Sequence, residues 1–425
     1  MNSATLFLLS IPFKTNTMKN TLLLFTMCVL FWSCDVKKET KNAPISIEER
    51  ADLLAHKFII TDGHIDLPYK LAEEGYMKNG EVPNLQSEIN GNFDFIKASK
   101  GGLDVPFMSI YLPAGLQKEK GASKALADSL INMVEQITRL FPNNFALAGS
   151  PADAKKNFDN GFISLPMGME NGSGLEDDLS NVKYFFDRGI RYITLTHSKD
   201  NLICDSSYDP SRTWNGLSEY GEKVVLEMNK QGIMVDISHV SDSTFYQVMT
   251  LTNVPCIASH SSVRKFTPGF ERNMSDDMIQ LLAKKQGVIQ INFGSTFISG
   301  SSRSKWDSLK TIKKEYETMN PDASDSTLNQ FTDQWMIDHD FFADVSNVAD
   351  HIDHVKNLVG IDYVGLGSDY DGVGNSLPTG LKTAADYPNL IAELLRRGYT
   401  DEEIEKICYK NVFRVWSAVL KNAGI

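Results

Sequence analysis

At 425 residues, 42% hydrophobic and 23% charged, the chain has the composition of an ordinary globular protein with a large core. One barrel-sized domain with long loops accommodates that length. The net charge of −12 argues against nucleic acid as a partner, which would require a basic stripe; otherwise it speaks to solubility and sets no substrate.

The N-terminus reads as an export signal. Lys19 precedes an apolar stretch from Leu22 to Trp32, and Ser33-Cys34 follows. A basic start, a short apolar region and a small residue before the cut define such a signal over residues 1–33. The stretch is about half the roughly 20 residues needed to span a bilayer. A small residue followed by cysteine resembles a bacterial lipoprotein signal, in which Cys34 becomes the lipidated first residue, although Phe31 stands where that pattern usually has Leu. Met18 is an alternative start, because residues 1–17 add nothing to the signal. Residues 34–50, rich in Lys and Glu, are expected to form a solvated tether, and residues 51–425 the barrel domain. The expectation is an exported lipoprotein of a bacterial cell envelope, periplasmic or outer-surface, held to the membrane through Cys34.

Beyond the tether, eight short apolar runs each stop at a polar or metal-binding residue. They are Phe58–Asp66, Gly102–Tyr111, Phe162–Glu170, Tyr192–His197, Gly232–His239, Pro255–His260, Gly287–Phe293 and Tyr363–Asp369. Helix-like stretches separate most of them. Ser218 caps one that Gly232 ends; Ser275 caps another, with Gly287 as its stop; Thr400 and Glu403 form a capping box opening a C-terminal helix. Strand-then-helix repeated eight times predicts a (β/α)8 TIM-like barrel, whose chemistry sits at the C-terminal ends of the strands. One segment breaks the rhythm. Residues 294–345 exceed an ordinary connection and contain two polar, helix-like stretches, Lys305–Met319 and Thr327–Asp340; the insertion is either a lid over the site or a decoration beside it. Apart from Cys28 and Cys34, the cysteines are Cys204, Cys256 and Cys408, an odd number that offers no disulfide framework. Cys256 reads as a buried packing residue.

The strand ends carry the chemistry. Of eight histidines, four, His64, His197, His239 and His260, terminate expected barrel strands, together with Asp66, Glu170 and Asp369. His64-Ile65-Asp66 places two ligands on one side of a strand. Each residue alone has a bland reading as a cap or a satisfied core histidine; their convergence on one rim does not. Five ligands are too many for one tetrahedral catalytic zinc that keeps a position open. They suit two ions, with His64 and Asp66 on one, His239 and His260 on the other, and Glu170 between. Two ions roughly 3.5–4 Å apart share a hydroxide and polarise a carbonyl. Imidazole with carboxylate suits zinc, and manganese or cobalt also fit.

These residues lie in motifs that resemble the membrane (renal) dipeptidase family, the M19 zinc dipeptidases. The motifs are DGHIDLPY, Glu-Asn-Gly at 170–172, RYITLTHSKDN, GLSEYGEKVVLEMNKQGIMVDISHVSD, ASHSSVR, ERNMSDDM and VADHIDHVKNLVGIDYVGLGSDYDG. The resemblance runs from about Ile59 to Val419. It implies a (β/α)8 fold, two zinc ions and hydrolysis of dipeptides, some with a C-terminal D-residue. By motif match, His64, Asp66, Glu170, His239 and His260 fall on the zinc ligands, and His197, Arg272 and Asp369 on substrate-contacting positions. Asp369 is expected to take and return the proton, and Arg272 to clamp the free C-terminal carboxylate, with Arg264 a competitor. A homodimer is one candidate assembly. Two departures stand out: Asn171 replaces a frequent Gly, and Lys199 stands where animal members have a cysteine, so that disulfide is absent. The competing readings are another amidohydrolase-like barrel and a non-catalytic metal- or peptide-binding lipoprotein. The first commonly uses H-x-H and a carbamylated lysine, whereas this chain has H-x-D and no strand-ending lysine; the second leaves Asp369 without a purpose.

Overall fold

The computed structural model describes residues 45–76 and 81–425; the expected signal, Cys34 and the tether up to residue 44 lie outside the described residues. Eight strands close into a barrel: β1 (Ile60–Ile65), β2 (Leu103–Tyr111), β3 (Met167–Glu170), β4 (Ile190–Thr194), β5 (Met234–Asp236), β6 (Ile257–Ser261), β7 (Val288–Ile291) and β8 (Val364–Leu366). Every neighbouring pair is parallel, and β8 returns to β1. Parallel pairing requires crossovers, which helices supply. Tyr111 lies opposite Glu170, Glu170 opposite Thr194, and Thr194 opposite Asp236. The ends of β2 to β5 therefore share one level, and side chains leaving them meet on one rim.

The other end of the barrel is closed by the C-terminal helix Asn411–Asn422. Its Val412, Val415 and Trp416 bury against residues at or near the strand starts, including Ile59, Val105, Met234, Ile257 and Val288. From Trp416, Phe107 lies at 5.2 Å between ring centroids and Tyr192 at 5.5 Å beyond it. This aromatic column fills the barrel beneath the rim. Among the described residues no helix is long and apolar enough to cross a membrane, and the three cysteines there, Cys204, Cys256 and Cys408, are free and buried.

Several expected elements differ. The run Phe162–Glu170 is two strands: Ile163–Leu165 pairs outside the barrel with Phe145–Leu147, and only Met167–Glu170 enters it. Pro166 divides them, because it has no N–H to donate to a ladder; its carbonyl accepts from Met108 N at 2.8 Å. Asp66 is not on the strand but stands at the N-terminal boundary of the helix Leu67–Glu73, at φ −88°, ψ 19°, without a side-chain capping bond. Gly287 does not end its helix in the left-handed conformation; Gln286 does, at φ 62°. Gly287 is required for another reason, since a Cβ there would lie 2.6 Å from the Cys256 carbonyl. The first helix, Ile47–Lys57, starts inside the stretch expected as tether, through a Ser46/Glu49 capping box. The C-terminal helix opens with the expected Thr400/Glu403 box but passes through a π-helical turn at Lys406–Lys410.

Both expected helices of the insertion are present, as Gly300–Met319 and Asp325–Asp338. The first begins earlier than expected because Ser299 caps it, accepting from Ser302 N. Leu309, Met336 and Phe341, flanked by Trp306, Trp335 and Phe342, give the pair its own small core.

Candidate active site

Six of the eight strands deliver side chains to the rim, from the strand itself or from the turn after it. His64 is on β1 and Asp66 just beyond it; Glu170 ends β3; His260 is on β6; His197, His239 and Asp369 each lie three residues past the ends of β4, β5 and β8. His239 and Asp369 leave their strands at φ 67° and 62°, a left-handed conformation that costs about 1–3 kcal/mol and concentrates at functional sites. Gly372 is required beside them, since a Cβ there would lie 2.1 Å from Asp66 Oδ2 and 2.4 Å from Asp369 Oδ1.

Glu170 is the centre of the group. Its Oε2 lies 3.4 Å from His64 Nε2, which is also 3.4 Å from Asp66 Oδ2. Its Oε1 lies 3.0 Å from His239 Nε2 and 3.3 Å from His260 Nε2. Its two oxygens thus face two different sets of donors. Three sets of potential ligand atoms lie within 4.8 Å of one another: His64, Glu170 and His260; Glu170, His197 and His239; and His64, Asp66 and Asp369. By distance alone His197 and Asp369 stand beside the five expected ligands. They differ in their surroundings: the His197 side chain is 22% exposed, against 0%, 6% and 1% for His64, His239 and His260.

A second layer orients the imidazoles. Tyr192 Oη donates to the Gly63 carbonyl and accepts from His64 Nδ1 at 2.8 Å. Ser259 Oγ donates to Asp236 Oδ2 at 2.7 Å and accepts from His260 Nδ1 at 2.7 Å. With each Nδ1 donating to its hydroxyl, each Nε2 faces Glu170 as the nitrogen that would ligate a metal. Tyr192, Ser259 and Asp236 were not singled out from sequence; the available signal was a polar group inside an apolar run. Asn292, likewise missed, donates to Asp369 Oδ2 at 2.7 Å.

The electrostatics call for a cation. Burial lowers the pKa of His239 well below the ordinary value and that of His260 to about 4. His64 goes the other way: burial pulls it down, but Tyr192, Glu170 and Asp66 together hold it well above 6.5. Burial opposes ionisation of Glu170, yet the surrounding imidazoles keep its pKa well below the ordinary range. His64 Nε2 and Asp66 Oδ1 are buried without a hydrogen-bond partner. His239 and His260 bring their Nε2 atoms to 2.9 Å, and His239 Nδ1 is buried without a partner. Metal ions would fit this donor set, taking the place of the proton on His64.

Asp369 is buried, which pushes its pKa up to about 7. With Asp66, Glu170, His197 and His239 it lines a cavity of about 790 Å³. Arg272 is buried beneath that rim; Nη1 donates to Ser261 Oγ at 2.7 Å and Nη2 to the His260 carbonyl at 2.8 Å, while Nε has no partner. Arg264 is not free to compete, because Asp242 holds it bidentately at 2.7 and 2.6 Å. His351 is a packing residue, His354 pairs with Asp276, His56 hydrogen-bonds backbone carbonyls and His339 stacks on Trp335. Asn171, at φ 76°, does what the frequent Gly would do and adds contacts, donating to the Leu112 carbonyl at 2.8 Å.

The family model of membrane dipeptidases, peptidase family M19, matches residues 48–424. The chain belongs to this family. Among solved structures it is similar to the probable dipeptidase PvdM from Pseudomonas aeruginosa, at 25% identity and a TM-score of 0.76, covering 90% of this chain and 100% of that one. It shares its fold with a metallo peptidase from Rhodobacter sphaeroides liganded with a phosphinate mimic of the dipeptide L-Ala-D-Ala, at 21% identity and a TM-score of 0.69, covering 85% and 99%. An amidohydrolase from Pseudomonas aeruginosa has the same fold at 22% identity and a TM-score of 0.66, covering 88% and 99%. As an M19 member the chain is a metal-dependent dipeptidase by family, and the rim is where the residues that could hold a metal gather.

Proposed function

We propose that the protein hydrolyses the peptide bond of free dipeptides, L-Xaa-L-Xaa and L-Xaa-D-Xaa, at two zinc ions. Glu170 carries the reading: one oxygen faces His64 and the other faces His239 and His260, as a carboxylate shared by two ions must. His64 and Asp66 would hold one ion, His239 and His260 the other. When bound, such ions would acidify a water towards neutral pH and polarise the scissile carbonyl. The remaining work belongs to side chains. Asp369 takes the nucleophile's proton and delivers it to the leaving amine, a task suited to a carboxyl whose pKa lies at about 7. His197 donates from Nε2 to the developing oxyanion. Arg272 places positive charge where the substrate's α-carboxylate lies. Extension to a C-terminal D-residue is supported by the L-Ala-D-Ala mimic bound to the Rhodobacter relative. Export and lipid anchoring at Cys34 belong to the same proposal and would bring the enzyme to peptides of the cell envelope.

The test is a panel of L-L and L-D dipeptides offered to the zinc-loaded protein, with metal content measured in parallel. Turnover that chelation abolishes and zinc restores is the expected result. Cleavage of cyclic amides or esters without dipeptide turnover would favour another amidohydrolase; bound zinc without any turnover would leave a binding protein.

A further inference from the structure

Arg303 sits on the insertion helix Gly300–Met319 and lines the active-site cavity together with Trp306 and Lys310. Positions three and four apart share a helix face, so one face of the insertion is turned to the rim. The Arg303 guanidinium is half-buried and stacks on Phe270, with Cζ 3.8 Å from the ring centroid. Phe270 lies 5.7 Å from Phe297, and Arg272 Cζ lies 5.6 Å from Phe297. Two guanidiniums thus flank one aromatic pair, Arg272 buried beneath the rim and Arg303 facing the cavity.

Among the described residues no carboxylate pairs with Arg303. Glu271, the acid of the neighbouring loop, is already held by Arg212 and by the Asp242 backbone N–H at 3.0 Å. Lys310 leans on exposed Asp307 at 3.1 Å and lies over the Trp306 ring at 5.9 Å. The same cavity is also lined by Asp66, Glu73, Asp369 and Asp371, so the insertion supplies its basic side. Stacking holds the guanidinium plane in place, leaving its edge to form the two-pronged bond that carboxylates accept.

We infer that Arg303 reads a side-chain carboxylate on the C-terminal residue of the substrate, so that dipeptides ending in Asp or Glu are preferred. The inference rests on the dipeptidase reading and adds a substrate class to it. The C-terminal residue is the one concerned because Arg303 shares the Phe270–Phe297 wall with Arg272, the guanidinium assigned to the α-carboxylate. A side-chain carboxylate on that residue projects outward from the α-carboxylate, towards the insertion.

The experiment compares kcat/KM for Ala-Glu with its isostere Ala-Gln, and for Ala-Ala, on the wild-type protein, Arg303→Gln and Arg303→Lys. The wild type is expected to favour Ala-Glu over Ala-Gln by about tenfold or more, the factor one charge-assisted hydrogen bond supplies. Arg303→Gln brings that ratio close to one, Arg303→Lys restores part of it, and added salt shrinks it. A wild-type ratio near one, or a ratio that survives Arg303→Gln, overturns the inference while Ala-Ala turnover leaves the dipeptidase reading intact. A wild-type protein that cleaves none of the three overturns both.

Discussion

The side-chain amide of Asn292 donates to Oδ2 of Asp369 over 2.7 Å, joining the end of β7 to the turn after β8 and leaving Oδ1 for the reaction. Burial pushes Asp369 up to about 7; a donor to the carboxylate opposes that rise. Removing it in Asn292→Ala should raise the Asp369 pKa further. A base must be ionised to act, so the acidic limb of the kcat/KM profile moves to higher pH, and the profile measured from pH 5 to 9 reads the shift directly. Asp369→Asn should lower kcat by roughly 10²–10⁴ with metal content unchanged; near-normal kcat would reduce Asp369 to a turn cap.

Glu170→Gln should deplete both metal equivalents together, because a neutral amide is a poor bridging ligand. Metal analysis of the purified variant decides it: two tightly held ions would contradict a shared carboxylate.

The second layer should separate the two ions. Ser259→Ala removes the partner of His260 Nδ1, and Tyr192→Phe that of His64 Nδ1. Each is expected to weaken one ion by roughly 10–100-fold, the first that at His239 and His260, the second that at His64 and Asp66. Titration with a competing chelator would show the two variants losing different ions; loss of the same ion from both would break the assignment.

The role proposed for Arg272 makes a free dipeptide the expected substrate. Amidating or extending its C-terminus leaves a buried guanidinium without its anion, a loss specific to the α-carboxylate. Dipeptide amides and tripeptides should be much poorer substrates, and Arg272→Ala should impair dipeptides more than their amides. An unchanged dipeptide-to-amide ratio of kcat/KM would mean the α-carboxylate is read elsewhere.

His351 makes the fold sensitive to acid. Its Nδ1 accepts from Val263 N at 2.9 Å and its Nε2 faces the Ile298 carbonyl at 3.2 Å, which fixes the neutral ring. Burial lowers its pKa from 6.5 to about 3. Between those values the unfolded chain binds the proton and the folded chain does not, so stability present above pH 6.5 is lost as the pH falls towards 3. His351→Gln should flatten the dependence of Tm on pH across that window; parallel curves would mean that other groups set it.

Much of the protein was legible in the chain itself. Alternating apolar runs and capped helices determined the barrel, because burial of both faces of a parallel strand leaves a continuous hydrophobic signature. The polar residues closing those runs, His64, Glu170, His239, His260 and Asp369, marked the rim, because a barrel strand that ends in a charged or imidazole group has few structural uses for it. Tertiary structure decided the rest. Pro166 divides a single apolar run, but which sheet each half joins is set by partners distant in sequence, Phe145–Leu147 for the first and the barrel strands for the second. Which ring nitrogen of His64 is turned to Glu170 depends on Tyr192, and the Ser259 hydroxyl that meets His260 is itself fixed by Asp236; Tyr192 and Asp236 are both brought there from other strands. Arg264 and Arg272 look alike eight residues apart, and only packing ties one to Asp242 and buries the other against Ser261 and the His260 carbonyl. The insertion reads as a polar helical pair; that it turns Arg303 towards the rim follows from its own small core and from Phe270, neither of which is a property of local sequence. Hydrophobic period is written along the chain, whereas the direction of a side chain is set by what packs against it from elsewhere in the fold.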